Sequence, residues 1–307
     1  MTSRAGRPST THLPPQENPP PTVLAWLVER FPQIAEATWR SRMERGLVTR
    51  RDGSPLDVAS PYEAHLQVRY YRETAEEPRV PFVERIVFED EHLLVADKPP
   101  FLPVTPSGSF VRECLLGRLT TRRDEPDLAP VHRLDRATSG LVIFSKRRED
   151  RGAYARRFAQ GCVVKIYEAI AEIGADRHAE RWTVESRIIP GSPFFRMRED
   201  PNAAEPNSRT EIERLEVRTV GHVDHGRFRL RPQTGKKHQL RVHMASSGLG
   251  ILGDRFYPEL LPEATDDFEA PLHLVATELR FDDPVTGVAR HFISSYDVRS
   301  LPLPSDG

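Results

Sequence analysis

Residues 131–146 read VHRLDRATSGLVIFSK, a stretch in which one carboxylate stands between two arginines. Asp135 has Arg133 and Arg136 as close neighbours in sequence, and a nearby cation favours the ionised form of a carboxyl group. An ionised, well-positioned aspartate can act as a nucleophile or a general base, or can form half of an ion pair. From these residues alone an ordinary loop ion pair is the first interpretation, and a catalytic carboxylate is the alternative.

A second concentration of polar side chains lies in QTGKKHQLRVHMASSG, residues 233–248. The Thr-Gly pair predicts a turn into a helix whose first turns carry Lys236, Lys237, His238 and Arg241. His238 and Arg241 are three residues apart and would share a face of that helix. The N–H groups at a helix N-terminus favour anions, whereas cations there reduce helix stability unless an anion is bound. The pattern indicates a phosphate or carboxylate site, and a solvated basic helix is the alternative.

A third motif, VVKIYEAI, has the alternation of a β-strand. Lys165, Tyr167 and Ala169 would lie on one face of that strand. A flat phenol ring beside a cation suits stacking on a nucleobase. A half-buried tyrosine of the core is the alternative.

The elements that position these groups are mostly strands. Residues 141–144 form a continuous apolar run, typical of a strand buried on both faces, which would anchor the loop that carries Asp135. Other stretches alternate at period two, and helices and strands do not alternate regularly along the chain. Residues 81–307 are therefore predicted to form an α+β domain with a mixed, largely antiparallel sheet and flanking helices.

The N-terminal part of the chain has a different composition. Residues 1–22 are rich in Pro, Ser and Thr and are predicted to be a disordered tail. Residues 23–80 are predicted to form a small α+β module. Its signals are a helix capped by Thr22, a second, arginine-rich helix closed by Gly46, and a hairpin turn at Asp52.

Composition limits the classes of function. The 307 residues include 44 basic and 45 acidic side chains, so net charge alone gives no argument for a nucleic-acid partner. No apolar run approaches the roughly 20 residues that cross a bilayer, and the N-terminus lacks the apolar segment of a signal peptide. Two cysteines are too few for a disulfide framework or a four-thiolate zinc site. A cytoplasmic protein that does not associate with membranes is the expectation.

The motifs together carry a resemblance. They are HRLDRATSGL (132–141), KIYEA (165–169), TGKKHQLRVHM (234–244), ILGDRFYP (251–258) and LHLVATELRFDDPVTG (272–287). In this order they resemble the RluA-type pseudouridine synthases. The N-terminal module resembles a degenerate copy of a small RNA-binding module that is named after a ribosomal protein.

The resemblance implies an enzyme that isomerises uridine in rRNA or tRNA to pseudouridine. Asp135 would be its essential carboxylate, Tyr167 would stack on the target base, and Arg241 would pair with Asp135. Arg133 would enter the RNA helix as the target leaves it. These three side chains, Asp135, Tyr167 and Arg241, are the expected catalytic set.

The resemblance also sets expectations for binding. The side chains expected to contact RNA or substrate are Arg133, His132, Lys236 and His238. No metal or organic cofactor is expected, and the protein is expected to be a monomer that acts on structured RNA.

The sequence departs from the family pattern at a few positions. Lys236 stands where arginine is usual, and Phe101 and Thr105 lie in a segment that usually contains glycine and histidine. Two other functions stay open at this stage. One is an RNA-binding protein that keeps the synthase fold without catalysis. The other is a hydrolase that uses His132 and Asp135, for which the sequence offers no water-activating partner.

Overall fold

The computed structural model describes most of the chain as two compact units. The described residues are 3–4, 6, 8–74, 77–123, 125–174 and 180–302. One unit comprises Met1–Pro78 and Pro106–Glu113, and the other comprises Arg79–Thr105 and Cys114–Gly307. Within the described residues, no helix is long and apolar enough to cross a membrane.

The first unit is a small α+β fold. Its elements are β1 (Ser3–Arg4), β2 (Ser9–His12), α1 (Val23–Arg30), α2 (Glu36–Glu44), β3 (Val48–Arg50), β4 (Gln67–Tyr70) and β5 (Glu73–Thr74). Strands β2, β4 and β3 form one antiparallel sheet, and β1 pairs with β5. Helix α1 begins where its sequence predicts, because the Thr22 side chain accepts the Ala25 N–H at 3.1 Å. Trp39, Leu27 and Val68 lie in the buried core.

The N-terminal segment departs from the prediction of a disordered tail over residues 1–22. Ser9–His12 pairs with Gln67–Tyr70 along the edge of the sheet, and Leu13 is only 1% exposed. A Pro-rich composition argues against a core of its own, but this segment instead adds a strand and one leucine to a core that later residues build. Local composition carries no information about such a distant partner.

Residues 106–113 also return to the first unit, although the sequence predicted one continuous domain from residue 81. The Arg72 guanidinium donates to the carbonyls of Pro106 at 2.8 Å and Gly108 at 2.9 Å. The Glu77 carboxylate accepts the backbone N–H groups of three successive residues, 111–113. Charged side chains thus hold this loop through its backbone, whatever its own side chains are.

The second unit contains the larger sheet. Its strands are β6 (Arg85–Glu89), β7 (Leu93–Lys98), β8 (Ala129–Pro130), β9 (Ser139–Ser145), β10 (Val164–Ile173), β11 (Arg181–Ser186), β12 (Ile188–Pro190), β13 (Met197–Glu199), β14 (Ser208–Val220), β15 (Val223–Pro232), β16 (Leu274–Asp282) and β17 (Ala289–Ile293). Its helices are α3 (Leu115–Arg123), α4 (Arg151–Ala159), α5 (Gln239–Ser246) and a 3-10 turn at Val298–Ser300.

The large sheet is mixed and mostly antiparallel. Within the described residues its order is β11-β14-β15-β10-β16-β9-β7-β6, with β17 on β16 and β8 on β9. The β16–β9 pair is parallel, and β12 and β13 form a separate hairpin. This architecture confirms the predicted α+β class with a largely antiparallel sheet.

Strand β9 is the rigid element behind the loop that carries Asp135. All seven of its residues are buried, as the apolar run 141–144 predicted. Gly140 has φ +107°, and a Cβ at this position would collide with the backbone of Ala276 on β16. Glycine is required here because the two strands approach so closely. The loop before β9 is therefore fixed at its C-terminal end.

Candidate active site

Asp135 lies in the loop between β8 and β9. The loop closes on itself, because the Thr138 N–H donates to the Asp135 carbonyl at 3.2 Å and Thr138 is buried. The Asp135 side chain is 28% exposed. A substrate can therefore reach the carboxylate, while the backbone behind it is held in place.

The cation beside Asp135 comes from helix α5. Arg241 Nη1 lies 3.7 Å from Asp135 Oδ2, and His238 Nε2 lies 4.0 Å from the same oxygen. Of the two arginines next to Asp135 in sequence, Arg133 is exposed and Arg136 forms a bidentate pair with Asp266. The fold thus brings Arg241 to Asp135 from a distant part of the chain, as the resemblance implied, and it also places His238 beside the same carboxylate.

Arg241 has a second acidic partner that the sequence analysis missed. Its Nε donates to Asp254 Oδ2 at 2.8 Å and its Nη2 donates to Asp254 Oδ1 at 2.6 Å. The expectation that Asp135 is the acidic partner of this helix is therefore incomplete. Asp254 belongs to the motif ILGDRFYP, and its place in that motif was the available signal.

The pair is buried and strongly constrained. The side chain of Arg241 is 5% exposed and that of Asp254 is 1% exposed. Asp254 Oδ1 also accepts the N–H groups of Phe256 at 2.8 Å and Tyr257 at 3.2 Å. Burial is the largest single influence and opposes the charge of Arg241, but the hydrogen bonds to Asp254 together with the negative charges of Asp254 and Asp135 outweigh it, so the pKa of Arg241 is raised. Arg241 is thus a permanent cation aimed at Asp135.

The start of helix α5 differs from the prediction. The helix begins at Gln239, after His238 in the left-handed conformation with φ +56°. Lys236 and Lys237 therefore lie in the preceding turn and are exposed, not in the first helical turns. The turn is closed by the buried Gln239 side chain, whose Oε1 accepts the Lys236 N–H at 3.0 Å. Because the Gln239 side chain closes this turn, the helix begins three residues later than Lys236.

His238 is uncharged near neutral pH. Its ring is buried, with Nδ1 3.0 Å from the Tyr257 hydroxyl. Burial lowers the pKa of His238 to about 4, although the charge of Asp135 acts in the opposite direction. The positive charge beside Asp135 at pH 7 therefore belongs to Arg241, and the imidazole contributes shape and hydrogen bonding.

His132 does not lie free for the substrate contact that the sequence analysis expected. Its Nε2 accepts the Ile143 N–H at 3.1 Å, and its ring stacks on Phe158 with centroids 4.6 Å apart. Burial lowers the pKa of His132 to about 3. The imidazole is thus neutral and ties the Asp135 loop to β9. This arrangement also removes the base that a hydrolase built on His132 would need.

Tyr167 lies in β10, in register with Leu230 of β15 and Ala276 of β16. The ring is half-buried and packs on the core that includes Leu240 and Met244. Burial raises the pKa of Tyr167, and the negative charge of Asp135 raises it further, so the phenol stays protonated. Tyr167 is therefore near Asp135 and offers a neutral ring.

Lys98 is a buried charged residue that the sequence analysis did not single out. It ends β7, is 0% exposed, and its Nζ donates to three carbonyls: Pro99 and Leu102 at 2.8 Å and Arg136 at 3.0 Å. Burial lowers the pKa of Lys98, and the charge of Asp135 opposes that shift. Lys98 thus fastens the peptide next to Asp135 to the end of β7.

Replacing Lys98 by methionine is expected to lower the free energy of unfolding by about 1–3 kcal/mol, because buried carbonyls lose their donor. Urea unfolding measures this loss. The matched control is Lys165→Met, since Lys165 is half-buried and donates to one carbonyl, that of Thr234, at 3.2 Å. Equal stability of the two variants would contradict the assigned role of Lys98.

Phe101 has an unusual backbone for a large residue. Its φ is +63°. Its buried ring lies 5.2 Å from the ring of Phe268 and 6.3 Å from that of Phe82, centroid to centroid. Left-handed backbone is costly for such a residue, and the aromatic contacts offset that cost.

Comparison with known proteins identifies the family. Residues 92–246, which include Asp135, Tyr167 and Arg241, match the family described as RNA pseudouridylate synthase. A Synechocystis protein described as an uncharacterized RNA pseudouridine synthase is 30% identical over 76% of this chain and 79% of its own length. The chain belongs to the RNA pseudouridine synthase family. The Vibrio vulnificus dual-specificity RNA pseudouridine synthase RluA is 31% identical over 75% of this chain and 86% of its own length.

A solved structure supports the fold of the synthase. Human RNA pseudouridylate synthase domain containing 1 matches with a TM-score of 0.56 and 23% identity, over 75% of this chain and 100% of the human chain. At this level of identity the likeness concerns the fold alone. The family match and the two sequence relatives, and not this structure, make the synthase an isomerase that converts uridine in RNA to pseudouridine, and they confirm the resemblance drawn from the motifs.

Proposed function

We propose that this synthase acts on uridines in structured rRNA or tRNA in the cytoplasm, and that Asp135 is its catalytic carboxylate. One observation carries the assignment: Arg241 Nη1 lies 3.7 Å from Asp135 Oδ2 while the other side of the guanidinium is fixed on buried Asp254. A partly exposed carboxylate next to a permanent, immobile cation is suited to chemistry that needs a charged oxygen.

The reaction sets the requirements for the site. The glycosidic bond from uracil N1 to ribose C1′ breaks, the base turns, and C1′ bonds to C5. C5 loses a proton and N1 gains one, so nothing is gained or lost overall. Glycoside hydrolysis uses two carboxylates and a water molecule, whereas here water must be excluded and one carboxylate suffices. Asp135 can attack the sugar, attack the base or remove a proton, and the proposal includes all three routes.

The neighbours of Asp135 supply orientation and charge. Arg241 stabilises the ionised carboxylate, and the neutral His238 fills the space beside it without adding charge. The protonated ring of Tyr167 is proposed to stack against the target uracil. These roles are supported by the burial of Arg241 and His238, the half-buried position of Tyr167 and the pKa directions of the three side chains.

The target base must leave any helix before it reaches Asp135. Flipping a nucleotide out of a stack costs a few kcal/mol. Arg133 is exposed on the loop that carries Asp135, and we propose that its side chain fills the gap that the base leaves. Lys236 and Lys237, exposed beside the helix that carries Arg241, are proposed to contact phosphates.

The first unit is proposed to add affinity for RNA. Its arginines should contribute less to that affinity through their charge than their number suggests. Arg45 donates to Glu73, and Arg50 donates to Glu63, each in bidentate geometry. Arg42 is buried. Side chains already neutralised by carboxylates release few counterions when RNA binds.

The two lysines are exposed, whereas Arg50 of the first unit is paired with Glu63. Their contributions to the salt dependence of RNA binding should therefore differ. Lys236→Ala and Lys237→Ala are each expected to reduce the slope of log affinity against log salt by about 1, as for the loss of one phosphate contact. Arg50→Ala, the control in the first unit, is expected to leave the slope unchanged. Filter binding over a range of salt concentrations measures the slopes. An Arg50 effect as large as that of Lys237 would overturn this assignment of charge.

The experiment that tests the proposed function identifies the product and the target together. The full chain is incubated with total cellular RNA that lacks the modification, pseudouridine is labelled with carbodiimide, and reverse-transcription stops are mapped. New stops at one or a few uridines of rRNA or tRNA are expected. No new stop in any RNA, with bound RNA demonstrated, would instead favour a binding protein that keeps the fold without catalysis.

A further inference from the structure

One large aromatic side chain lies exposed near the site without a role in the chemistry. Phe194 is in the loop between β12 and β13 and is 87% exposed. Single exposed apolar residues are common on protein surfaces, so exposure alone carries no inference. The contacts of this ring distinguish it.

Phe194 begins a row of rings that ends at the candidate active site. Its centroid is 5.6 Å from that of Phe195, and Phe195 is 5.2 Å from Phe256. Phe256 in turn is 5.8 Å from His238, whose Nε2 is 4.0 Å from Asp135 Oδ2. The exposed ring is therefore continuous, through aromatic contacts, with the groups around the catalytic carboxylate.

The row is held in place by contacts of Arg241 and Tyr257. The Arg241 guanidinium lies over the Phe256 ring at 4.9 Å. The Tyr257 hydroxyl accepts the Met197 N–H at 2.7 Å, which ties the β12–β13 hairpin to the segment after Asp254. An exposed ring on an anchored hairpin is preorganised for a flat partner, because little freedom is lost on binding.

The loop that carries Phe194 also carries a cation, Arg196. Arg196, two residues after Phe194, places its guanidinium 5.0 Å over the Tyr257 ring and donates to the Pro258 carbonyl at 3.0 Å. An unpaired nucleotide presents a flat base and a phosphate. An exposed aromatic face can stack on the base without regard to its identity, and a guanidinium held on the same hairpin loop can attract the phosphate.

We propose that Phe194 stacks on an unpaired base near the target uridine, so that the synthase selects uridines in loops or other single-stranded segments. The inference rests on the proposed function and adds the structural class of the RNA around the target. Phe194 acts in binding, and the chemical step does not depend on it.

The experiment uses the full chain with Asp135→Asn, so that no turnover occurs, and a single-stranded RNA oligonucleotide with one uridine. 2-Aminopurine, whose fluorescence falls on stacking, replaces each flanking base in turn. We expect quenching at one flanking position or more. Phe194→Ala and Phe194→Leu should remove that quenching and weaken binding about tenfold, the order expected for the loss of one base stack. Phe194→Trp should keep both.

The leucine variant decides between a flat ring and general hydrophobicity. Val288→Ala, a control at another exposed apolar residue, should behave as the parent does. Quenching and affinity unchanged in Phe194→Leu, or no binding of the oligonucleotide, would overturn the inference. If the wild-type enzyme forms pseudouridine and the Phe194 variants keep the quenching and the affinity, this inference is contradicted and the proposed function is not. Inactive wild-type enzyme with Phe194-dependent quenching would contradict the proposed function alone.

Discussion

Asp135→Asn is expected to abolish isomerisation while RNA binding stays within a few-fold of wild type. The amide keeps the size and hydrogen-bonding reach of the side chain but removes the charged oxygen that the reaction requires. Loss of a negative charge also reduces repulsion from RNA phosphates. The fold should survive, because the loop is anchored by buried β9 and by the Lys98 bonds behind it.

Two assays test this expectation in parallel. Tritium release from RNA that carries carbon-5-tritiated uridine reports turnover, and a filter-binding titration reports affinity. The control is Asp127→Asn, a change at a carboxylate that is 63% exposed, which should release tritium at the wild-type rate. Substantial release by Asp135→Asn would remove this residue as the catalytic carboxylate. Loss of binding and activity together, in a folded protein, would assign Asp135 a structural role.

Arg241→Lys is expected to lose most of the turnover although it keeps the positive charge. The guanidinium binds Asp254 through two nitrogens and faces Asp135 with the third. A lysine ammonium is a single point charge and cannot hold both carboxylates in this geometry. We expect a fall of at least about a hundredfold in the single-turnover rate, the scale seen when one stabilising donor is removed from an active site.

Arg241→Ala separates the rate from the stability. It leaves Asp254 charged and buried without its main partner, which should lower the free energy of unfolding by about 3–5 kcal/mol. Arg241→Lys should lose less stability. Asp254→Asn should reduce the rate, because Arg241 loses the carboxylate that holds it while Asp135 itself is unaltered. Near-normal turnover in Arg241→Lys would mean that charge alone matters. Near-normal turnover in all three variants would remove Arg241 from the mechanism.

The parts of the fold that the sequence predicted are those with local signals. The buried strand at 141–144 and the cap at Thr22 depend on nearby residues alone. The strand Ser9–His12 and the return of residues 106–113 depend on partners more than thirty residues away. No periodicity in those segments indicates such partners.

The residues of the site show the same difference between local sequence signals and tertiary contacts. Residue type and motif order indicated Asp135, His238 and Arg241, and the fold brings His238 Nε2 and Arg241 Nη1 within 4.0 Å of Asp135 Oδ2. Asp254 and Lys98 were missed because their importance comes from burial and from tertiary hydrogen bonds. His132 has the right type and place in sequence, but its Nε2 serves the backbone of β9.

One measurement tests the central claim most directly: the ratio of tritium released to pseudouridine formed, in RNA with carbon-5-tritiated uridine and the wild-type full chain. The nucleosides are separated by chromatography after complete digestion, and free uracil is measured in the same samples. The account predicts one tritium released for each pseudouridine formed and no free uracil above the control without enzyme. Free uracil in place of pseudouridine, or bound RNA with neither product, would contradict it.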